Sequence, residues 1–227
     1  MRLFLLLMFF LNCLSTVKAQ VNQTIEQDSL YREDQFYVSI TYNALIDLPN
    51  NVSQNSFSTG VHLGVIRDFP LNKRRNIALA LGLGYSFNSF NQNIRISGYN
   101  PYNYTILESY NYSKNNFTQH FIEVPFEFRW RTSNAQSYKF WRVYTGLKLG
   151  YLIASKSVFN DRSGSDNQKN LTDLNKLQYG LTMSIGYNTW NGYIYYGLNP
   201  VFNDVSTIDL QSIDMSALKI GLIFYLL

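Results

Sequence analysis

The chain has 227 residues, 19 Lys and Arg against 15 Asp and Glu, and an aromatic fraction of 16%. Setting aside a leader that carries Arg2 and Lys18 leaves 17 basic against 15 acidic side chains, a near balance that excludes nucleic acid as the main partner despite a nominal pI of 9.0. With 18 Tyr and 16 Phe at a mean hydropathy of -0.16, the composition points away from helical membrane spans and towards alternating strands edged by aromatic residues.

The leader comes first. Met1-Arg2 precedes an apolar run from Leu3 to Leu11, and Val17-Lys18-Ala19 places small residues three and one before Gln20, the pattern of a secretory signal peptide cleaved after Ala19. That run is too short to span a bilayer, which takes about 20 apolar residues. The lone Cys13 falls inside it, so the mature chain is expected to carry no cysteine. Asn12 is not the small residue that lipoprotein processing at Cys13 prefers. The expected organisation is a signal peptide over 1–19, a flexible periplasmic segment over 20–35, and one domain of roughly 190 residues over 36–227, within the range of a single fold.

Eight alternating runs follow. In the first, Phe36, Val38, Ile40, Tyr42 and Ala44 alternate with Tyr37, Ser39, Thr41 and Asn43. A loop over 45–56 leads to Thr59, Val61, Leu63 and Val65, set against Ser58, Gly60, His62 and Gly64. Asp68 to Asn76 is a short basic turn. The third run, Ile77 to Asn88, keeps strict period two; a helix would scatter its leucines around the circumference. The segment 89–117 reads as a long loop rich in Asn and Tyr.

In the fourth run Ile122, Val124, Phe126, Phe128 and Trp130 stand opposite Glu123, Glu127, Arg129 and Arg131. A turn over 132–139 leads to the fifth run, Trp141 to Ile153, with Arg142, Tyr144, Gly146, Lys148 and Gly150 on its polar face. A second polar loop over 154–175 precedes Gln178 to Tyr187. Thr189-Trp190-Asn191-Gly192 reads as a tight turn on its Asn-Gly pair. A run from Tyr193 to Asn199, a loop over 201–212 and a last strand over 213–227 complete the chain. An apolar strand at the end of a chain is an exposed edge in a soluble sheet, whereas ring closure removes it.

Long connections after odd runs and short ones after even runs give an eight-stranded antiparallel transmembrane barrel with a side-chain-filled lumen. Short turns are then periplasmic, as are both mature termini, and the contacting medium is outer-membrane lipid. Glu123, Glu127, Arg129, Arg131, Arg142, Lys148 and Lys219 meet inside as a polar network. Buried charges must pair, so the surplus bases are expected to use water or the hydroxyls of Tyr144, Tyr193 and Tyr195.

The stretch from His120 to Ile153, HFIEVPFEFRWRTSNAQSYKFWRVYTGLKLGYLI, resembles the PorT family of the Bacteroidota. The strand EVPFEFRWR, the connection SYKFWR and YTGLKLGY carry the resemblance, and NKRRNIALALGLGYSFNSF before them is similar too. The resemblance implies an outer-membrane component of type IX secretion, the export route for gliding adhesins and secreted proteases, with other translocon proteins as partners. It implies no catalytic residue and no cofactor.

Rival readings have specific carriers. A lipid A-modifying enzyme needs a histidine with a serine or acid; only His62 and His120 exist, and Ile122 stands where a deacylase wants its serine, so no enzyme is expected. Two separated histidines without cysteine make no metal site. Asn-X-Ser/Thr triplets at Asn22, Asn51, Asn103, Asn111, Asn116 and Asn170 are chance in an Asn-rich bacterial chain. A stand-alone OmpX- or OmpA-type structural or adhesive barrel would work through external loops, for which Tyr99, Tyr102, Tyr104, Tyr110 and Tyr112 are the candidates. At the opposite end, Lys73, Arg74 and Arg75 form a candidate periplasmic contact or a solvated basic turn beside lipid head groups.

Overall fold

A computed structural model describes residues 34–54, 56–99, 101–107, 112–132, 140–162 and 164–226. The expected signal peptide, most of the segment 20–35 and most of the turn 132–139 lie outside the described residues. The strands are β1 (Asp34–Ile46), β2 (Thr59–Pro70), β3 (Ile77–Asn91), β4 (Ile94–Gly98), β5 (Tyr102–Ile106), β6 (Tyr112–Arg131), β7 (Trp141–Asp161), β8 (Ser165–Lys169), β9 (Leu177–Tyr187), β10 (Trp190–Gly197) and β11 (Ser216–Leu226). No described helix is long and apolar enough to cross a membrane.

Neighbours in the ring run β6-β3-β2-β1-β11-β10-β9-β7, and the β6–β7 pairing closes it into an eight-stranded antiparallel barrel. β1 pairs with β11 over the full run from Phe36↔Leu226 to Ile46↔Ser216, so the apolar last strand has no free edge. Every barrel strand alternates. Phe36, Val38 and Ile40 face outward while Tyr37, Ser39 and Thr41 are buried, and β9 and β10 repeat the pattern residue by residue. The apolar outer belt is set between aromatic rims. All three tryptophans, Trp130, Trp141 and Trp190, face outward near the end with the short turns, where Trp141 packs on Tyr187 and Trp190 on Phe224. Near the long-loop end Tyr42 meets Phe57 and Phe87 meets His120. At a strand rise of about 3.3 Å and a tilt of about 40°, the stretch of β6 from Trp130 to His120 spans about 25 Å, the height of an outer-membrane apolar band.

Several sequence boundaries move, for one shared reason: ladders continue past the apolar belt wherever a neighbouring strand is there to pair. Among the described residues β1 already includes Asp34 and Gln35, ahead of the expected start at Phe36, because they pair with Arg67 and Ile66 of β2. β2 runs on to Pro70, which takes Asp68 out of the basic turn and into the buried interior. The expected loop 89–117 is largely strand: β3 extends to Asn91, β4 and β5 form a hairpin, and β6 starts at Tyr112. The expected loop 154–175 likewise contains the outer half of β7 and its partner β8. The turn after β9 is Asn188-Thr189, with Asn188 at φ 56° and Trp190 paired to Tyr187; Asn191 and Gly192 belong to β10. The Asn191 side chain is buried instead, donating to the carbonyl of Ile223 at 3.0 Å.

A conventional hydrophobic core sits at the long-loop end. Phe90 and Phe117 point inward from the last rows of β3 and β6 and stack at 4.9 Å, and Phe202 closes on Phe117 at 5.7 Å. Ile94, Ile96 and Tyr104 from the β4–β5 hairpin, with Leu174, Ile213 and Met215 from other connections, complete this cap. It lies over the inward face of the barrel mouth.

Candidate functional site

The lumen is the place where the sequence concentrates its chemistry. Residues two apart on a strand share a face, so β6 delivers Glu123, Glu127, Arg129 and Arg131 to the interior, where all four are buried. Small residues on the neighbouring strands let these long side chains reach across. Ala80 of β3 stands between Asp68 and Glu127 in one row, and Ala78 stands beside Arg129. Where a ring must enter, a glycine opens the slot: a Cβ on Gly64 would lie 2.7 Å from Tyr37 Cε1, and one on Gly84 would collide with the Tyr37 hydroxyl.

Two ionic clusters result. Nearer the short turns, Asp68 bridges two arginines, accepting from Arg129 Nη1 and Arg131 Nη1 at 2.5 Å each. Glu127 Oε2 accepts from Arg129 Nε at 2.9 Å and Nη2 at 2.8 Å, and Gln35 Oε1 accepts from Nη1 at 2.9 Å. The Arg129 guanidinium also lies 4.5 Å and 4.9 Å from the ring centres of Tyr144 and Tyr225. Arg131 Nε donates to the carbonyl of Arg75 at 2.8 Å, which ties the basic turn to the interior. Arg142 stacks over Phe140 at 4.5 Å.

Midway along the barrel, Glu123 is the shared acceptor. Its two oxygens each lie 3.1 Å from His62 Nδ1, which places the ring proton there because an ionised carboxylate only accepts. Lys148 Nζ reaches Glu123 at 3.2 Å. Lys148 and Lys219 stand 5.0 Å and 4.8 Å from the ring centres of Tyr193 and Tyr195. The tyrosines therefore serve the surplus bases through their ring faces, a cation–π contact. The Tyr193 hydroxyl has no hydrogen-bond partner among the described residues.

All seven residues expected in the lumen are buried; Asp68, His62 and Gln35 join the two clusters, whereas Arg142 and Lys219 face aromatic rings and make no ion pair among the described residues. His62 already stood on the inner parity of its run. Asp68 and Gln35 lay beyond the points where alternation became unreadable. The external tyrosines divide. Tyr102 and Tyr104 are buried residues of the cap, Tyr102 lying edge-on at 6.3 Å from the exposed Tyr99. The Tyr104 hydroxyl donates to Asp173 at 3.1 Å, and burial together with that carboxylate raises its pKa. Tyr99 is 80% exposed, Tyr112 packs at 6.0 Å from Phe159, and Tyr110 lies outside the described residues. At the other end Lys73 and Arg74 are exposed, while Arg75, at φ 53°, donates its backbone N–H to the carbonyl of Asn72.

The arrangement holds charge and fills space. Among the described residues no group of three or more His, Cys, Asp or Glu is placed to hold a metal ion. His120 sits on the outer face between Tyr85, whose hydroxyl is 2.6 Å from Nδ1, and the Phe87 ring.

A family model described as an outer membrane protein beta-barrel domain matches residues 18–203. The chain belongs to this family of outer-membrane β-barrels. The closed ring, outward apolar belt and aromatic rims are the family's architecture realised in these residues, and the bacterial outer membrane is where such a barrel resides. No curated protein matches the chain. Among solved structures it is similar to Ail, the attachment invasion locus protein of Yersinia pestis, at 14% identity and a TM-score of 0.31, over 85% of this chain and 98% of that one.

Proposed function

We propose that this outer-membrane barrel is a non-enzymatic component of a protein secretion machine, of the type IX kind that the PorT resemblance implies, and that it works through its surfaces. The observation that carries the surface reading is the filled interior. Two ion-paired clusters and an aromatic cap occupy the ring from one end to the other, so cargo has no route through this barrel. Contacts with translocon partners are then made at the lipid-facing belt or at the rims, with both mature termini and the exposed Lys73 and Arg74 on the periplasmic side.

A second reading has its own support. β6 and β7 continue beyond the belt and gain β8, which ends the sheet order as an edge with polar side chains. An edge strand beyond the belt suits partner binding by strand addition, which supports a stand-alone structural or adhesive barrel acting through its external loops.

The test is a gentle-detergent pull-down of the tagged barrel from native outer membranes, read by mass spectrometry, alongside cargo export in a deletion strain. Co-recovery of a large translocon barrel with export lost in the deletion supports the secretion role. Recovery of the barrel alone with export intact sinks it and leaves the stand-alone reading.

A further inference from the structure

The mid-barrel cluster contains more positive than negative charge. Glu123 is its one carboxylate, and its oxygens are taken by His62 Nδ1 at 3.1 Å and Lys148 Nζ at 3.2 Å. Lys219, 4% exposed, has no carboxylate within 4.0 Å among the described residues, although Glu123 and Lys148 line the same cavity; the Tyr195 and Phe121 ring centres stand 4.8 and 5.9 Å from its ammonium. An ammonium withdrawn from water with no carboxylate in contact is destabilised. Beside it is a cavity of about 10 Å³ lined by Phe121, Glu123, Lys148, Gly150, Gln178, Tyr195 and Lys219. Gln178, also buried, lines the same cavity, and its Nε2 donor has no partner among the described residues.

We propose that this cavity is a binding site for a single small monovalent anion of the halide class, held by Lys219 Nζ and the Gln178 amide. Three features select that ligand. The lining carries one carboxylate against two ammonium groups, so one negative charge balances it. The free hydrogen-bonding capacity at Lys219 and Gln178 is donor capacity, which an anion accepts. The volume admits about one water-sized particle, which excludes carboxylate and phosphate ligands. Gly150 sits between Glu123 and Gln178 in one row of the ladder, so the wall there is bare backbone. The site is independent of the secretion reading; it belongs to the barrel whatever the barrel's partners are.

The experiment uses the full folded protein in detergent, with bromide as the probe. Crystals grown in sodium bromide are expected to show an anomalous peak in the cavity beside Lys219. The thermal midpoint is expected to rise with chloride or bromide, measured against gluconate at equal ionic strength, and to saturate. Gln178→Leu removes one donor and keeps every charge; it is expected to weaken the halide dependence. Gly150→Ala places a methyl group against the cavity, 3.3 Å from Phe121 Cδ1, and is expected to abolish it. Lys219→Met, which removes the ammonium itself, is expected to unfold at a midpoint indifferent to halide. A cavity without anomalous signal, a wild-type midpoint equal in chloride and gluconate, or a halide response retained in Gly150→Ala overturns the proposal. If Lys219→Met fails to fold, the other two variants and the anomalous map decide the matter.

Discussion

Asp68 is the residue on which the short-turn half of the lumen depends, since it alone bridges Arg129 and Arg131. Replacing it with alanine leaves two buried guanidinium groups short of charge, and removing one partner of a buried pair costs about 3–5 kcal/mol. Asp68→Ala is therefore expected to lower the midpoint of urea unfolding in micelles, followed by tryptophan fluorescence, by that order. Glu127→Gln is expected to cost less, because Asp68 and Gln35 still hold Arg129. At the same scale, Gly84→Ala drives a methyl group into the Tyr37 hydroxyl. Overpacking of this kind costs about 1–3 kcal/mol, and the paired variant Gly84→Ala with Tyr37→Phe is expected to recover part of the loss in the same unfolding assay.

The elements show which patterns a sequence can display. Runs that cross the belt alternate because lipid lies on one side and the lumen on the other, and all eight were legible for that reason. Beyond the belt the outer face meets water, so period two fades: β8 reads SDNQK, with no apolar residue at all, and pairs with β7 only because the ladder is already there to extend. The cap is the other case. Phe202 looks like an isolated loop aromatic, yet it meets Tyr104 at 5.6 Å and Phe117 at 5.7 Å from two different strands. Truncating a buried phenylalanine costs about 3–5 kcal/mol, and here the loss falls on the cap. Phe202→Ala is expected to expose the β4–β5 hairpin to limited proteolysis while the barrel fragment stays protected, a result readable by gel and mass spectrometry. Equal protection of wild type and variant would show that the hairpin is held without it.

For the whole molecule, an eight-stranded ring leaves an interior that side chains can fill, and this one is filled by charge at the short-turn half and by aromatic rings at the mouth. Single-channel recording in planar bilayers is expected to give no discrete openings; step conductances would mean that the clusters part in the membrane and would reopen a transport role. The closed lumen also explains why the secretion and stand-alone readings differ only in which surface is occupied, and why the pull-down separates them.

What the sequence by itself determined is the barrel: strand number, which face of each strand meets lipid, and that the charges of β6 and β7 turn inward. Those follow from alternation, which is local and enforced by two different media on the two faces of every strand. Only the tertiary structure decided the partners. Asp68 with Arg129 and Arg131, His62 with Glu123, and Phe202 with Phe117 are pairings set by the register of non-adjacent strands and by connections folded across the mouth. No local pattern encodes them, because the energy of a buried ion pair or a ring contact depends on what the rest of the ring brings to the same depth.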